Sequence, residues 1–168
     1  MKDVPYEDAV DLLDADHKAV KKMFIDYNAL CEEAAPPDAR KALAERICQA
    51  LTVHTQIEEE IFYPAVRKAT GDNALMDQAM EEHQKAKELI ARIQSTKATA
   101  KDFDATVKQL GKAIDAHVLE EREQMFLQAR QAPLDLRGLA VPLYERKNKL
   151  MGEPLRSARP AKTTKVPA

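Results

Sequence analysis

Apolar or histidine side chains fall at Val10, Leu13, His17, Val20, Phe24, Tyr27 and Cys31. Steps of three and four residues trace one face of a helix, which predicts a first helix over about 7–33. Pro36-Pro37-Asp38 ends it and offers Asp38 as the N-cap of a second helix. Leu43, Ile47, Ala50, His54, Glu58, Ile61 and Ala65 carry that second stripe to about residue 68. Pro64 has no N–H to donate, so a kink or local break is expected near its end. Thr70-Gly71-Asp72-Asn73 reads as the next turn. The third helix shows Met76, Ala79, His83, Ala86, Ile90 and Ile93, and weakens through Ser95, Thr96 and Thr99. Asp102 is placed to cap a fourth, with Phe103, Val107, Leu110, Ile114, His117 and Glu121 on one side and Pro133 closing it. A shorter amphipathic piece over 134–151 holds Leu136, Leu139, Leu143 and Leu150, with Pro142 interrupting its regularity.

Three short joints between four helices of similar length imply an all-α fold: an up-down-up-down antiparallel four-helix bundle with a short additional C-terminal helix. The expected organisation is residues 1–151 as bundle and helical extension, then 152–168 as a flexible basic tail. Only four glycines and no tryptophan, with 45% hydrophobic and 32% charged residues, fit one helical domain of ordinary soluble character.

Charge narrows the partners. The net charge is −2, but Arg156, Arg159, Lys162 and Lys165 oppose only Glu153 in the tail, so residues 1–151 carry −5. An acidic body argues against nucleic acid, although the tail could touch an anionic surface. MKDVPYEDAV lacks the apolar stretch of a secretory signal, and no segment approaches the roughly 18 apolar residues of a membrane span. A cytoplasmic protein without membrane attachment is expected. Cys31 and Cys48 lie at different levels of neighbouring helices, so a disulfide between them is not expected.

The candidate chemistry lies in the histidines. All four, His17, His54, His83 and His117, fall one per helix and near its middle, so alternating chain direction keeps them at similar height. Two are followed four residues later by a carboxylate: His54-x-x-x-Glu58 and His117-x-x-x-Glu121. Positions four apart share a helix face, so each pair can serve one site. The natural division puts His17 and His54 on one ion, His83 and His117 on another, and Glu58 and Glu121 across both. Mixed imidazole and carboxylate donors point towards iron, and a hydroxide or oxide bridge would further reduce the charge of two divalent ions in the core. The four-residue spacing differs from the Glu-x-x-His of ferritin-like carboxylate proteins. A lone histidine followed by His-x-x-x-Glu occurs twice, with histidine separations of 37 and 34 residues, which suggests a pseudo-twofold pair of hairpins.

Other residues read as background. The glycines are too scattered for a phosphate loop, and no serine or cysteine sits in a nucleophile motif. Glu59, Glu60, Glu81, Glu82 and Glu120 read as solvated helix faces; Met23, Met80 and Met125 as core fillers; Tyr27 and Tyr63 as groups behind the ligands.

Asp16-His17, His54-x-x-x-Glu58-Glu59 with Phe62-Tyr63-Pro64, Glu82-His83 and His117-x-x-x-Glu121 together resemble the hemerythrin family, specifically its bacterial hemerythrin-like, or HHE cation-binding, domains. The resemblance covers roughly 7–130. It implies a non-haem di-iron centre inside a four-helix bundle, with a small diatomic ligand or peroxide as partner: dioxygen, nitric oxide or peroxide bound, sensed or detoxified. The chain departs from oxygen-carrying members at Ala79, where they have a further histidine. It departs again at Arg122, where they usually have aspartate and this chain offers Glu121 one residue earlier. Without a third imidazole, the ion held by His83 and His117 is expected to keep an open or water-filled position. A di-iron oxidase or peroxidase is the alternative, and an iron-responsive interaction module using 134–151 or the tail is a third reading.

Overall fold

The computed structural model describes residues 3–152; the expected basic tail lies outside the described residues from 153 onwards. Helix α1 spans Ala9–Glu32, and Asp8 caps it by accepting from the Asp11 N–H. Helix α2 spans Pro37–Ile57. Its N-cap is Pro36, with Pro37 at the first helical position, so Asp38 falls inside the first turn instead of capping it. The fixed φ of proline suits that position, and its missing N–H would have had no helical partner there.

The second rod does not continue as one α-helix. Glu58–Phe62 is a π-turn, after which α3 runs over Tyr63–Thr70. The widening sits before Pro64: the Tyr63 N–H reaches back five residues to the Glu58 carbonyl. Gly71 then ends α3 in the left-handed region at φ 74°, and Asp72 caps α4 (Asn73–Gln94) by accepting from the Leu75 N–H.

Helix α5 (Phe103–Glu120) begins after Asp102, whose side chain makes no capping bond. Its carbonyl instead accepts from the Thr106 hydroxyl. A second π-turn, Glu121–Met125, leads into α6 (Phe126–Gln131), with the Phe126 N–H bonded to the Glu121 carbonyl. Helix α7 (Leu136–Met151) runs unbroken through Pro142, which lies on its exposed face.

Helix α1 pairs with α2, and α4 with α5, giving two hairpins that close into a four-rod antiparallel bundle. Helix α7 is the additional element and lies along α1 and α2. Two apolar clusters divide the interior. One includes Val20, Tyr27, Ile47, Leu51, Ile90, Phe103, Leu110 and Ile114. The other includes Leu12, Leu13, Ile57, Phe62, Met76, Met125, Phe126 and Leu143. The histidines and Glu58 and Glu121 form a buried polar layer between them. Met125 is core, as expected, but Met80 is exposed. Cys31 and Cys48 are free thiols, and burial pushes the Cys48 thiol up to about 12.

Candidate metal centre

The structure brings all six candidate residues together. Burial of two carboxylates in an apolar core is costly unless opposite charge meets them, yet Glu58 is 0% and Glu121 2% exposed. Each divides its oxygens between two histidine pairs. Glu58 Oε2 lies 3.3 Å from His54 Nε2, and its Oε1 lies 3.2 Å from His83 Nε2. Glu121 Oε1 lies 3.1 Å from His17 Nε2, and its Oε2 lies 3.7 Å from His117 Nε2. His17 and His54 approach each other at 3.1 Å between their Nε2 atoms. Two groups of donors result: His17, His54, Glu58 and Glu121, and Glu58, His83 and His117.

A cation fits this donor set. Glu58 Oε2 and Glu121 Oε1 are buried and have no hydrogen bond. Imidazole nitrogen and carboxylate oxygen converge on both groups, the mixture that suits borderline and hard first-row ions.

The other imidazole nitrogen, Nδ1, is held from outside the centre. His54 Nδ1 donates to Asp16 at 2.9 Å, His83 Nδ1 to Glu59 at 2.7 Å, and His117 Nδ1 to Glu82 at 2.6 Å. Bonds of this kind fix the tautomer that aims Nε2 inward. Asp16 precedes His17 in sequence but bonds His54 on the next helix, just as Glu82 precedes His83 but bonds His117. His17 Nδ1 is buried without a hydrogen bond; Asp14 stands 3.6 Å away and pairs with Arg122 at 3.1 Å. Outside these, Lys147 reaches Asp16 at 2.5 Å and Lys87 reaches Glu59 at 2.9 Å.

These contacts set the charge of the centre. Burial disfavours imidazolium at His54 and His83, but for His54 the Glu58 charge and the Asp16 bond outweigh it, and for His83 Glu58 and Glu59 do so. His54 is raised well above its ordinary value and His83 to about 9. Burial likewise works against ionised Glu58, Glu59, Glu82 and Asp16, but their histidine partners hold all four below the usual carboxylate range. The cluster attracts positive charge, whether protons or metal.

Glu59 and Glu82 are not the solvated faces that their positions along the helices imply. Both touch histidines, and the available signal was their adjacency to Glu58 and His83. Tyr63 stands closer to the centre than expected. Its hydroxyl donates to Glu121 Oε2 at 2.6 Å and lies 3.1 Å from Glu58 Oε1, 3.1 Å from His83 Nε2 and 3.4 Å from His117 Nε2. The π-turn explains the placement, because widening by one residue brings position 63 back beside Glu58, five residues earlier. Burial, then the Glu121 and Glu58 carboxylates, push the Tyr63 phenol well above its ordinary value. The place expected to be open at His83 and His117 is thus faced by a phenol oxygen. The equivalent residue after the second π-turn is Phe126, whose ring stacks on His17 at 5.7 Å and 8°. The two donor groups are therefore inequivalent.

Fold and site together define a helical bundle built around a buried histidine and carboxylate centre able to hold metal. The hemerythrin HHE cation binding domain matches residues 8–129, and the chain belongs to that family. Among solved structures, a hemerythrin HHE cation binding domain-containing protein from Mycobacterium kansasii superimposes with a TM-score of 0.72. It shares 21% identity, and the match covers 86% of this chain and 88% of the other, a likeness of fold. A curated protein of Nostoc sp., called a DNA nickase, is 27% identical over 120 residues, 71% of this chain and 33% of that protein. The matched region thus spans about a third of the relative's length.

Proposed function

We propose that this chain holds two iron ions through His17, His54, Glu58, His83, His117 and Glu121, and uses them to bind, sense or detoxify dioxygen, nitric oxide or peroxide. The observation that carries this reading is the division of each glutamate between two histidine pairs, which suits two ions sharing both carboxylates. Iron in such a centre would supply Lewis acidity and one-electron redox chemistry.

The protein's own groups define what such a centre can admit. Asp16, Glu59 and Glu82 hold three imidazoles in the inward-facing tautomer. Tyr63 holds a proton against Glu121 at 2.6 Å and can present its oxygen to the His83 and His117 side. A chamber of about 10 Å³ touches all four histidines and is closed by Val20, Leu51, Ile114 and Val118. Space for about one water-sized molecule favours a small ligand over an organic substrate.

Metal content of single variants tests the ligand set. His54→Ala and Glu58→Ala are expected to lose bound iron, while Glu81→Ala, on an exposed face, should retain it. Equal retention by all three would overturn the assignment. Repeated turnover with peroxide and a reductant would favour the oxidase or peroxidase reading, and a single stoichiometric event would favour binding or sensing.

A further inference from the structure

The internal repeat allows the two ends of the centre to be compared residue by residue. Leu13 precedes His17 by four, as Ala79 precedes His83. Ile57 precedes Glu58 as Glu120 precedes Glu121, and Leu12 answers to Gln78. On the first side Leu12, Leu13 and Ile57 are fully buried and share one cluster with Leu136 and Leu143 of α7. On the second side Gln78 is exposed, Glu82 and Glu120 are half-buried, and the small side chain of Ala79 replaces a leucine. A notch of about 10 Å³ opens there, running from Gln78 and Glu120 past Ala79 to His117 and Glu121. The much larger groove of about 610 Å³ between α2 and α4 passes Glu59 and Lys87 but touches none of the six candidate ligands.

We infer that small uncharged ligands enter the centre between α4 and α5, through the notch at Gln78, Ala79 and Glu120, while α7 seals the equivalent end of α1 and α2. This rests on the six residues being metal ligands. The dimensions admit one water-sized molecule at a time. The carboxylates of Glu82 and Glu120 at the mouth oppose anions, whose approach a like charge slows. The Gln78 side chain donates to Glu120 across the mouth and to Glu82 at 3.3 Å, polar contacts that a side-chain rotation can release.

Two kinds of measurement test the port. In the iron-loaded protein, Ala79→Leu should keep its metal and take up nitric oxide about tenfold more slowly, the behaviour of a narrowed gate. Gln78→Trp, at an exposed position, should act in the same direction without touching the core. Glu120→Gln should speed azide but leave the nitric oxide rate unchanged, and Leu143→Ala on the sealed side should change neither. Unchanged nitric oxide rates in both blocking variants, or faster uptake in Leu143→Ala, would overturn the port. The second measurement needs no metal. With Cys31 and Cys48 replaced by serine, Ala79→Cys should react with methyl methanethiosulfonate at least about tenfold faster than Leu13→Cys in the apo protein, the contrast expected between an open and a sealed position. Equal labelling would overturn the port even where metal binds. If the wild type held no metal, the functional reading would fail and the labelling ratio alone would decide whether the port exists.

Discussion

Position 63 shows how a single oxygen distinguishes equivalent places in the two halves. Tyr63 and Phe126 follow their glutamates by five residues, yet only Tyr63 brings an oxygen to the centre. With iron bound, that oxygen is placed to become a donor to the His83 and His117 position. Tyr63→Phe should then keep both irons but lose a visible phenolate-to-iron absorption band; an unchanged spectrum would show that Tyr63 only hydrogen-bonds the glutamates. The residues behind the histidines lead to a second prediction. Asp16→Asn and Glu82→Gln each weaken the bond that orients an imidazole, and should lower metal affinity by about 10–100-fold, as titration against a chelator would measure. The six candidate ligands were legible because each lies on the apolar stripe of its own helix, and the four-residue spacing puts Glu58 on the face of His54 and Glu121 on that of His117. Asp16, Glu59 and Glu82 were not, because their partners lie on neighbouring helices, and a residue's own periodicity does not fix what it meets across an interface.

At the level of elements, the stripes located every rod of the bundle but not the widened turns within two of them. Pro64 marked the first disturbance in the sequence, and removal of an N–H there does weaken α-helical continuation. The second π-turn forms at Glu121–Met125 with no proline. The shared feature is instead a buried glutamate opening each turn, with an aromatic ring five residues later: Tyr63 and Phe126. Packing of those side chains around the centre therefore accounts for the widening better than local propensity does. Pro64→Ala should accordingly preserve metal content and any Tyr63-dependent absorption. Loss of that absorption with the bundle intact would show that the proline sets the turn. Pro142 makes a related point: the helix continues through it on an exposed face, where packing along α1 and α2 holds the remaining turns.

Across the whole molecule, the polar centre and the bundle ends carry separate electrostatics. Far from the histidines along α1, Tyr27 donates to Asp104 at 2.5 Å and Arg40 pairs with the same oxygen at 2.7 Å. Burial works to raise the Asp104 carboxyl, but the bonds from Tyr27 and Arg40 outweigh it and hold it below its ordinary 3.8. A carboxylate depressed in the folded state stabilises above its unfolded value, and that contribution is lost as pH falls through the folded one. Asp104→Asn should therefore lower Tm at neutral pH, with the difference from wild type shrinking below about pH 4. A constant difference across that range would remove the ion pair from the account. Because Asp104 is partly exposed, solvent screening keeps the effect modest. The global architecture was legible because alternating chain direction and mid-helix histidines leave few ways for four stripes to close. The placement of α7 was not, since an amphipathic segment does not reveal which two helices it will cover.

The central claim is that two ions share Glu58 and Glu121. Its most direct test is metal content per chain after anaerobic iron loading, read together with the optical spectrum before and after oxygen or peroxide is added. The account predicts about two irons per chain, one for each donor group, and new near-ultraviolet or visible charge-transfer bands on oxidation. A single tightly held zinc, or no metal at all, would contradict it.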